Sequence, residues 1–445
     1  MRLSVIGLGK LGAPLAAVFA SKGHDVIGVE TCAERAHMLA AGKAPVQEPH
    51  LQHLIDSSKV RIIATASYEE AVVGSDITFV IVPTPTDEYG RFSNRHVLAA
   101  VEEVGKALHN KASYHVLAIG ATVMPGSTGG QIRDVAEQSS GRRVGEDVGL
   151  CYNPEFVALG SVIHDLLNPD FILLGESDAK AGEMMENLYR SVCDNNPPIR
   201  RMDLMNAEIA KLSLNAYVTT KISFANMLAE ICERLPGADV DLVTSAIGLD
   251  SRIGAKCLKA ATSYGGPCFP RDNLAFSMMA RMLGPEALIA EATDRLNRRQ
   301  VDRLAAHVRR QTTPGGTVGI LGLSYKADTS VVEESAGVGL AIRLRDAGYI
   351  VKAFDPIAND PGREVLGPDT ISDSIESCAH GVSVLVITTP WPEFSNLDPA
   401  ILERPGKRCV IVDCWRVLPK ERFNDVAEII YLGRGDDWVP GARVS

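Results

Sequence analysis

A glycine-containing stretch that ends in a cysteine and an aspartate, residues 263–272, has the composition of a nucleophile site. Pro270 is tolerated at the start of a helix, because the N–H that it lacks would have no partner there. Cys268 then lies at a helix N-terminus, where the helix dipole favours a thiolate. Asp272 follows four residues later on the same face. The pattern indicates a thiol nucleophile beside a carboxylate, and a buried structural cysteine in a loop is the alternative.

A second pair of polar residues lies on a long helix that precedes this stretch. Residues 207–234 contain neither proline nor glycine, and their apolar residues recur at helical spacing. Lys211 and Asn215 are four residues apart and therefore share a face. That face is either a solvated polar stripe or, because Asn215 has apolar neighbours, a partly covered functional one.

The first thirty residues predict a dinucleotide site. An apolar strand, residues 3–6, leads into Gly7-Leu-Gly-Lys-Leu-Gly12 and an alanine-rich helix, and a second strand ends in Glu30. The glycines permit a tight turn, close approach of a pyrophosphate and packing of helix on strand. The helix N-terminus faces the phosphates, so Gly7, Gly9, Lys10, Leu11 and Gly12 are candidate cofactor contacts. Glu30 can accept hydrogen bonds from ribose hydroxyls and would repel a 2′-phosphate, which favours NAD over NADP.

Three further strands end in residues that could line a site. Residues 77–82 and 115–120 are apolar strands, and Thr84 and Thr122 follow them. Ligands of doubly wound sheets bind at the carboxyl ends of strands, so both threonines are candidate cofactor-site residues, with loop capping as the alternative. Glu155 lies at the exit of one more strand.

Composition restricts the class of protein. The 445 residues suit two or three domains, and 46% apolar content with mean hydropathy near zero suits a globular protein with sizeable cores. A net charge of −10 argues against nucleic acid or an anionic membrane as the main partner. Nine scattered cysteines without metal-ligand spacing predict no metal site and fit reduced thiols in the cytoplasm. Neither a signal peptide nor a membrane helix is expected.

The chain predicts an α/β fold with two doubly wound, Rossmann-like domains joined by a helical middle region that contains one long central helix. We expect an NAD-binding domain at 1–200, a helical central region with Cys268 at 201–311, and a C-terminal domain at 312–445. A second series of strand, helix and strand begins near Thr317, lacks GxGxxG, and carries Lys326 just past its first strand.

These motifs resemble those of the nucleotide-sugar 6-dehydrogenase family, whose members include UDP-glucose and GDP-mannose dehydrogenases, over essentially the whole chain. The motifs that carry the resemblance are Gly7-Leu-Gly-Lys-Leu-Gly12, Val82-Pro-Thr-Pro85, Ala121-Thr-Val-Met-Pro-Gly126, Asn153-Pro-Glu-Phe156, Ala210-Lys-Leu-Ser-Leu-Asn215, Lys221-Ile-Ser-Phe224, Asp250-Ser-Arg-Ile-Gly254, Tyr264-Gly-Gly-Pro-Cys-Phe-Pro-Arg-Asp272 and Gly322-Leu-Ser-Tyr-Lys-Ala-Asp-Thr329.

The resemblance implies that the chain oxidises the C6 hydroxymethyl of a nucleotide sugar to a carboxylate with two NAD. Cys268 would capture the intermediate aldehyde as a thiohemiacetal, which is oxidised to a thioester and hydrolysed. Lys211 and Asn215 would stabilise the oxyanion. Asp272 and a water held by Thr122 would move protons, and Glu155 would assist hydrolysis.

The resemblance also implies ligand contacts and a homodimer built on the long helix. Arg271 would lie near the cofactor, and Arg252 would reach the substrate of the neighbouring subunit. The remaining substrate-binding candidates are Phe156, Lys211, Asn215, Tyr264, Gly265, Gly266, Lys326 and Arg416.

Three positions depart from the family pattern. Leu159 replaces a glutamate, which leaves the sugar preference open, and Glu333 replaces an arginine near the cofactor. Arg271 replaces a lysine, which keeps the charge but not the geometry.

UDP-glucose is the expected substrate, and UDP-N-acetylhexosamines and GDP-mannose are the alternatives. A two-electron dehydrogenase of the hydroxyacid type would need neither Cys268 nor a second α/β domain. A nucleotide-binding protein without catalysis would have no use for the set formed by Cys268, Lys211, Asn215 and Asp272.

Overall fold

The computed structural model describes residues 1–403 and 408–435 of the chain. The chain divides into two compact units, Met1–Ser213 and Leu214–Ser445, the second of which is described up to residue 435. Residues 404–407 and 436–445, which belong to the predicted C-terminal domain, lie outside the described residues. Among the described helices, none is both long and apolar enough to cross a membrane.

The first unit is built on an eight-stranded sheet. Its strands are β1 Arg2–Ile6, β2 Asp25–Val29, β3 Ile62–Thr65, β4 Ile77–Val80, β5 His115–Ile119, β6 Val148–Tyr152, β7 Ile172–Glu176 and β8 Ile199–Asp203. They run in the order β3-β2-β1-β4-β5-β6-β7-β8, and each pair is parallel except β6 with β7. The strand order reverses beside β1, which is the crevice where such sheets bind ligands.

Helices cover both faces of this sheet. They are α1 Gly12–Ser21, α2 Ala33–Ala40, α3 Leu51–Ser58, α4 Tyr68–Val73, α5 Arg95–Leu108, α6 Arg133–Ser140, α7 Val162–Leu167, α8 Ala179–Val192 and the beginning of α9 Leu204–Cys232. Every residue of β4, β5 and β6 is buried, because a parallel strand packed on both faces has no solvent side. Two apolar clusters, one on each side, form the core.

The second unit contains a five-stranded parallel sheet in the order β10-β9-β11-β12-β13. Its strands are β9 Thr317–Leu321, β10 Ile350–Phe354, β11 Val384–Ile387, β12 Cys409–Asp413 and β13 Ala427–Tyr431. Its helices are the rest of α9, α10 Val240–Gly248, α11 Phe269–Leu283, α12 Leu288–Gln311, α13 Ala336–Asp346, α14 Asn359–Leu366, α15 Ile375–Ala379 and α16 Pro392–Ser395.

The predicted fold class is confirmed: two doubly wound sheets are present, and α9 is the long central helix. Sequence analysis did not identify β3, β7, β8 and β13. Strand β8 was not predicted because it is only partly buried and carries two arginines in five residues. It therefore lacks the apolar run that identifies the inner strands.

Candidate active site

The turn after β1 has the shape that a dinucleotide requires. Gly7 adopts φ +93°, and its N–H donates to the carbonyl of Val29 across 2.8 Å. A Cβ at Gly12 would lie 1.8 Å from the carbonyl oxygen of Gly7, and a Cβ at Gly7 would lie 2.4 Å from that of Ile81. Only glycine fits either position, so the N-terminus of α1 closes directly over the end of β1. The cradle fits the pyrophosphate of a dinucleotide.

Glu30 lies beside this cradle at the end of β2. The side chain is 7% exposed, and its two carboxylate oxygens accept from the N–H groups of Leu8 and Cys32, each across 2.9 Å. The guanidinium of Arg35 approaches the carboxylate to 3.5 Å. A carboxylate oxygen can accept more than one hydrogen bond, so Glu30 retains capacity for ribose hydroxyls.

The second sheet also has an acidic residue at the end of its second strand in the chain, but this residue is hydrogen-bonded to the protein's own backbone. Asp355 follows β10 and is fully buried. One of its oxygens accepts from the backbone of Leu323 and Ser324, and the other accepts from Ile357 and Ala358. The hydroxyl of Ser324 donates to it as well. Because these protein donors already occupy the carboxylate of Asp355, the first sheet is favoured as the dinucleotide site.

Thr84 and Thr122 follow neighbouring strands, β4 and β5, as the sequence predicted. The hydroxyl of Thr84 donates to the carbonyl of Thr122 across 2.7 Å. Thr84 is buried, and Thr122 is partly exposed. The bond holds the loop that carries Thr122 against the β4 exit, at the strand ends where the cofactor is expected.

Lys211, Glu155 and Phe156 come together in the first unit. The ammonium of Lys211 donates to the backbone carbonyl of Glu155 across 2.6 Å and lies 4.4 Å from the centre of the Phe156 ring. Lys211 is buried, with 7% exposure. The alternative of a solvated lysine stripe is therefore wrong.

The carboxyl group of Glu155 is electrostatically unusual. Burial raises its pKa to about 7, although the hydroxyl of Tyr189 and the nearby charge of Lys211 oppose the shift. The hydroxyl of Tyr189 lies 2.5 Å from the amide oxygen of Asn153 and 3.2 Å from the carboxylate of Glu155, and it shares its one proton between these two acceptors. Burial raises the pKa of Tyr189 well above 10, so this hydroxyl remains a donor. A carboxyl with a pKa near neutrality suits general acid–base catalysis.

Glu208 supports the Thr122 loop and was missed by sequence analysis. Its carboxylate is fully buried and accepts from the N–H groups of Gly126 and Thr128, across 2.6 and 2.7 Å. It lies one turn before Lys211 on α9, so this helix anchors the loop as well as carrying the lysine. The signal that could have revealed it is a glutamate between the apolar residues Ala207 and Ile209 near the start of the helix.

In the second unit, Cys268 is the N-cap residue of α11, as predicted, with Pro270 in the first turn. Cys268 is exposed to solvent, so it is not a buried structural cysteine. Asp272, four residues later, is fully buried, and its backbone N–H donates to the carbonyl of Cys268 across 2.8 Å. Its carboxylate accepts from Asn215 across 2.7 Å and from Arg271 across 2.9 and 3.0 Å.

The stretch before Cys268 packs closely against the loop after β9. A Cβ at Gly265 would lie 2.3 Å from the carbonyl oxygen of Glu334, and a Cβ at Gly266 would lie 2.6 Å from the Tyr325 ring. Gly266 also has φ +81° and donates its N–H to the carbonyl of Glu333. Tyr264 is 6% exposed, and its ring meets that of Phe269 edge-on. Close approach therefore accounts for both glycines.

Three predicted substrate contacts have different environments. Arg416 is 2% exposed, forms a bidentate ion pair with Asp241 at 2.6 and 2.8 Å, and donates to the carbonyl of Ala260. Arg252 is 86% exposed and pairs with Asp250. Lys326 is half-buried in the loop after β9. Arg416 thus already serves as a structural tie within the second unit.

The three departures from the family pattern also have defined environments. Leu159 is half-buried and packs against the core of the first unit. Glu333 is exposed, and its backbone carbonyl accepts from the N–H of Gly266. Arg271 is ion-paired with Asp272, as described above.

Family models match three successive parts of the chain. The NAD-binding domain of the UDP-glucose/GDP-mannose dehydrogenase family matches residues 1–193, its central domain matches residues 205–299, and its UDP-binding domain matches residues 319–420.

Individual relatives extend over nearly the whole chain. The UDP-glucose 6-dehydrogenase of Haloferax volcanii is 33% identical over 97% of this chain and 100% of its own. The GDP-mannose 6-dehydrogenase of Pseudomonas aeruginosa is 31% identical over 90% of this chain and 91% of its own. A solved UDP-glucose dehydrogenase from Pyrobaculum islandicum superposes with a TM-score of 0.87 and 33% identity over 98% of both chains. The chain therefore belongs to the UDP-glucose/GDP-mannose dehydrogenase family and is an NAD-dependent oxidoreductase.

Proposed function

We propose that this chain oxidises the C6 hydroxymethyl of a nucleotide sugar to a carboxylate, with UDP-glucose as the substrate and UDP-glucuronate as the product. The observation that carries the proposal is the solvent-exposed Cys268 at the start of α11, four residues before the buried Asp272. A two-electron oxidation would not need a thiol, whereas oxidation to an acid gains from covalent capture of the aldehyde.

In the first oxidation C6 loses a hydride and its hydroxyl loses a proton, which leaves an aldehyde. The thiol of Cys268 adds to the carbon of this aldehyde, and its proton passes to the aldehyde oxygen. The resulting thiohemiacetal carbon carries one hydrogen, which leaves as a hydride while the hydroxyl proton departs, and a thioester remains. Water then forms a new C–O bond, the C–S bond breaks, and the thiol is regenerated. The alcohol carbon loses four electrons in total.

NAD, when bound, accepts the hydride that leaves the carbon in each of the two oxidations. The turn from Gly7 to Gly12 would hold its pyrophosphate, with backbone contributions from Gly9, Lys10 and Leu11. Glu30 would accept from the adenosine ribose, and Thr84, Thr122 and Arg271 would contribute further contacts. The glycine cradle and the remaining acceptor capacity of Glu30 support this assignment.

Lys211 and Asn215 stabilise the negative charge that develops on the substrate oxygen. The ammonium of Lys211 is already desolvated, which strengthens its effect. Asp272 and a water on Thr122 move protons in the oxidations. Glu155, whose pKa of about 7 leaves it partly ionised at neutral pH, activates the water that hydrolyses the thioester.

The sugar nucleotide is bound by residues of several segments. We assign substrate contacts to Phe156, Arg252, Tyr264, Gly265, Gly266 and Lys326, in addition to Lys211 and Asn215. Arg416 is also assigned to the substrate, although its guanidinium is bonded to Asp241 and Ala260 in the structure. Relatives named for UDP-glucose support UDP-glucose as the substrate, and a relative named for GDP-mannose makes that nucleotide the alternative.

The decisive experiment counts NADH. UDP-glucose, UDP-N-acetylglucosamine, UDP-N-acetylmannosamine and GDP-mannose are supplied in limiting amounts, and NADH absorbance is followed to completion. Two NADH for each UDP-glucose consumed is the expected result. One NADH, with aldehyde accumulating, would contradict the four-electron route and favour a two-electron dehydrogenase.

The Cys268→Ser variant isolates the covalent step. It should bind NAD as the wild type does and form no acid, because a serine hydroxyl is a far weaker nucleophile than a thiolate. Acid formation at the wild-type rate would exclude the thioester route.

We also propose that the chain has an NAD-binding domain at 1–200, a dimerising central region at 201–311 and a nucleotide-sugar domain at 312–445. Exposed apolar residues at helical spacing on α9, namely Tyr217, Phe224, Met227 and Ile231, support a homodimer on this helix. Light scattering should give twice the chain mass, and Phe224→Glu should shift it to monomer. A monomeric wild type would contradict the dimer.

A further inference from the structure

The segment that leads to Cys268 is buried although it belongs to neither a helix nor a strand. Residues 260–266 are all buried, with side chains from 0% exposed at Ala260 to 9% at Ser263. Backbone N–H and C=O groups in such a segment have no ladder partners, and leaving them unpaired away from water costs free energy. The segment therefore depends on hydrogen bonds from elsewhere.

Asn226 of α9 supplies one pair of these bonds. Its amide oxygen accepts from the N–H of Ala261 across 2.9 Å, and its amide nitrogen donates to the carbonyl of Thr262 across 3.0 Å. The side chain is 1% exposed. A single asparagine thus satisfies a donor and an acceptor of two successive residues.

Asn297 of α12 supplies an equivalent pair three residues further on. Its amide oxygen accepts from the N–H of Tyr264 across 2.8 Å, and its amide nitrogen donates to the carbonyl of the same residue across 3.0 Å. Asn297 is 7% exposed. The two asparagines hold the segment from two different helices, as a strand partner would hold a β-strand.

We propose that Asn226 and Asn297 are positioning residues that fix the approach segment 260–266 and thereby hold Cys268 in place. The inference rests on the proposed role of Cys268 as nucleophile. Only Gly265, Gly266 and Pro267 separate Tyr264 from the cysteine, so a displacement of the clamped segment would also displace the thiol. A displacement of about 1 Å at a reacting group can cost about a hundredfold in rate.

The chemistry of the clamp requires an amide. Aspartate has the same shape but, when ionised, offers no donor to the carbonyls of Thr262 or Tyr264. Its second oxygen would then face a carbonyl oxygen at hydrogen-bonding distance, which is repulsive. Asn226→Asp and Asn297→Asp therefore break one bond of each pair while keeping side-chain volume.

The same unit offers a matched control. Asn359 also clamps backbone: its amide oxygen accepts from Asp355 N–H across 2.9 Å, and its amide nitrogen donates to the carbonyl of Ser372 across 3.3 Å. It lies in α14, outside the approach segment. Asn359→Asp should lower stability without affecting Cys268.

The test uses the full chain and two readouts, steady-state kinetics with UDP-glucose and alkylation of cysteines by iodoacetamide. In Asn226→Asp and Asn297→Asp we expect kcat to fall about tenfold to a hundredfold, with KM for NAD unchanged within about twofold. The alkylation rate of Cys268, measured by peptide mass spectrometry relative to that of the exposed Cys257, should fall about threefold or more, because the thiol leaves the helix N-terminus.

The proposal would be overturned if both variants kept the wild-type kcat and the wild-type ratio of Cys268 to Cys257 alkylation. It would also be overturned if Asn359→Asp, at the same thermal stability as these variants, lowered kcat and the alkylation ratio to the same extent. If an aspartate variant does not fold, the alanine variant at that position, which leaves space for water, is held to the same criteria. The alkylation ratio does not depend on turnover. It therefore separates failure of the clamp from failure of the proposed function, which Cys268→Ser tests.

Discussion

The side-chain amide of Asn215 donates a 2.7 Å hydrogen bond to Asp272, a carboxylate with no solvent exposure. The other oxygen of Asp272 accepts from the guanidinium of Arg271. The bond joins the long helix α9 to the first turn of α11, whose N-cap is Cys268. Two residues that the sequence separates by 57 positions thus depend on each other for a buried hydrogen bond.

Replacing this carboxylate should cost both stability and activity. In Asp272→Asn one carboxylate oxygen becomes an NH2 group, which faces the amide of Asn215 or the guanidinium of Arg271 as a second donor. We expect a loss of about 1–3 kcal/mol in the free energy of unfolding, measured by urea denaturation, and a clear fall in kcat. Asp360→Asn is the control, because Asp360 is 92% exposed in its pair with Arg363 and should change little. Equal effects at both positions would contradict the structural role.

The pH dependence of thioester hydrolysis should follow Glu155. A general base must be ionised, and the pKa of this carboxyl is raised to about 7, so the hydrolysis rate should rise with pH through about 7 and then level off. Glu155→Gln should remove this limb and slow hydrolysis. Rapid-quench detection of the thioester measures the step directly, and a Gln variant with the wild-type pH profile would assign the limb to another group.

The raised pKa of Glu155 also makes stability depend on pH, and stability should fall where the hydrolysis rate rises. Folding raises the pKa of Glu155 from 4.5 to about 7, so the folded chain binds this proton more tightly than the unfolded chain. The contribution is present below pH 4.5 and is lost as pH rises through about 7. The unfolding free energy of the wild type should therefore fall relative to that of Glu155→Gln as pH rises over this range. A difference that is independent of pH would contradict the raised pKa.

Glu208 should matter for the loop that carries Thr122. Glu208→Gln leaves one acceptor oxygen for two backbone N–H groups, and its NH2 would face a donor in a fully buried place. We expect a loss of about 1–3 kcal/mol in unfolding free energy and a raised KM for NAD. Glu137→Gln is the matched control, because Glu137 accepts from one backbone N–H, that of Val144, and is 34% exposed. Calorimetry and NAD titration would show the difference, and equal losses would refute it.

Leu159 tests the origin of sugar preference. Leu159→Glu restores the carboxylate of the family pattern at a half-buried position beside the core. We expect the ratio of kcat/KM between UDP-glucose and GDP-mannose to change severalfold, because a carboxylate at this position would add a charged acceptor for sugar hydroxyls. Leu159→Gln, which has the same size without the charge, separates electrostatics from lost packing. If the ratio does not move in Leu159→Glu, the departure is neutral for specificity.

The sequence by itself determined the features that depend on residues close together in the chain. The glycines from Gly7 to Gly12 sit within six residues, and their steric requirement is visible in the sequence as it is in the turn. The start of α11 at Cys268 was predicted because Pro270 and Asp272 act within one helical turn. Inner strands such as β4 and β5 were predicted because burial on both faces leaves an uninterrupted apolar run.

The tertiary structure alone decided which polar residues meet over long distances along the chain. Asn215 with Asp272, Glu208 with Gly126, Asn226 with Ala261 and Asp241 with Arg416 each join positions that are 35 or more residues apart. Such pairs leave no periodic signal, because a hydrogen bond needs only one donor and one acceptor brought together by the packing of helices and sheets. For that reason the sequence indicated Cys268 as a candidate nucleophile, whereas the fold shows which side chains bond to the segment before it, namely Asn226 and Asn297.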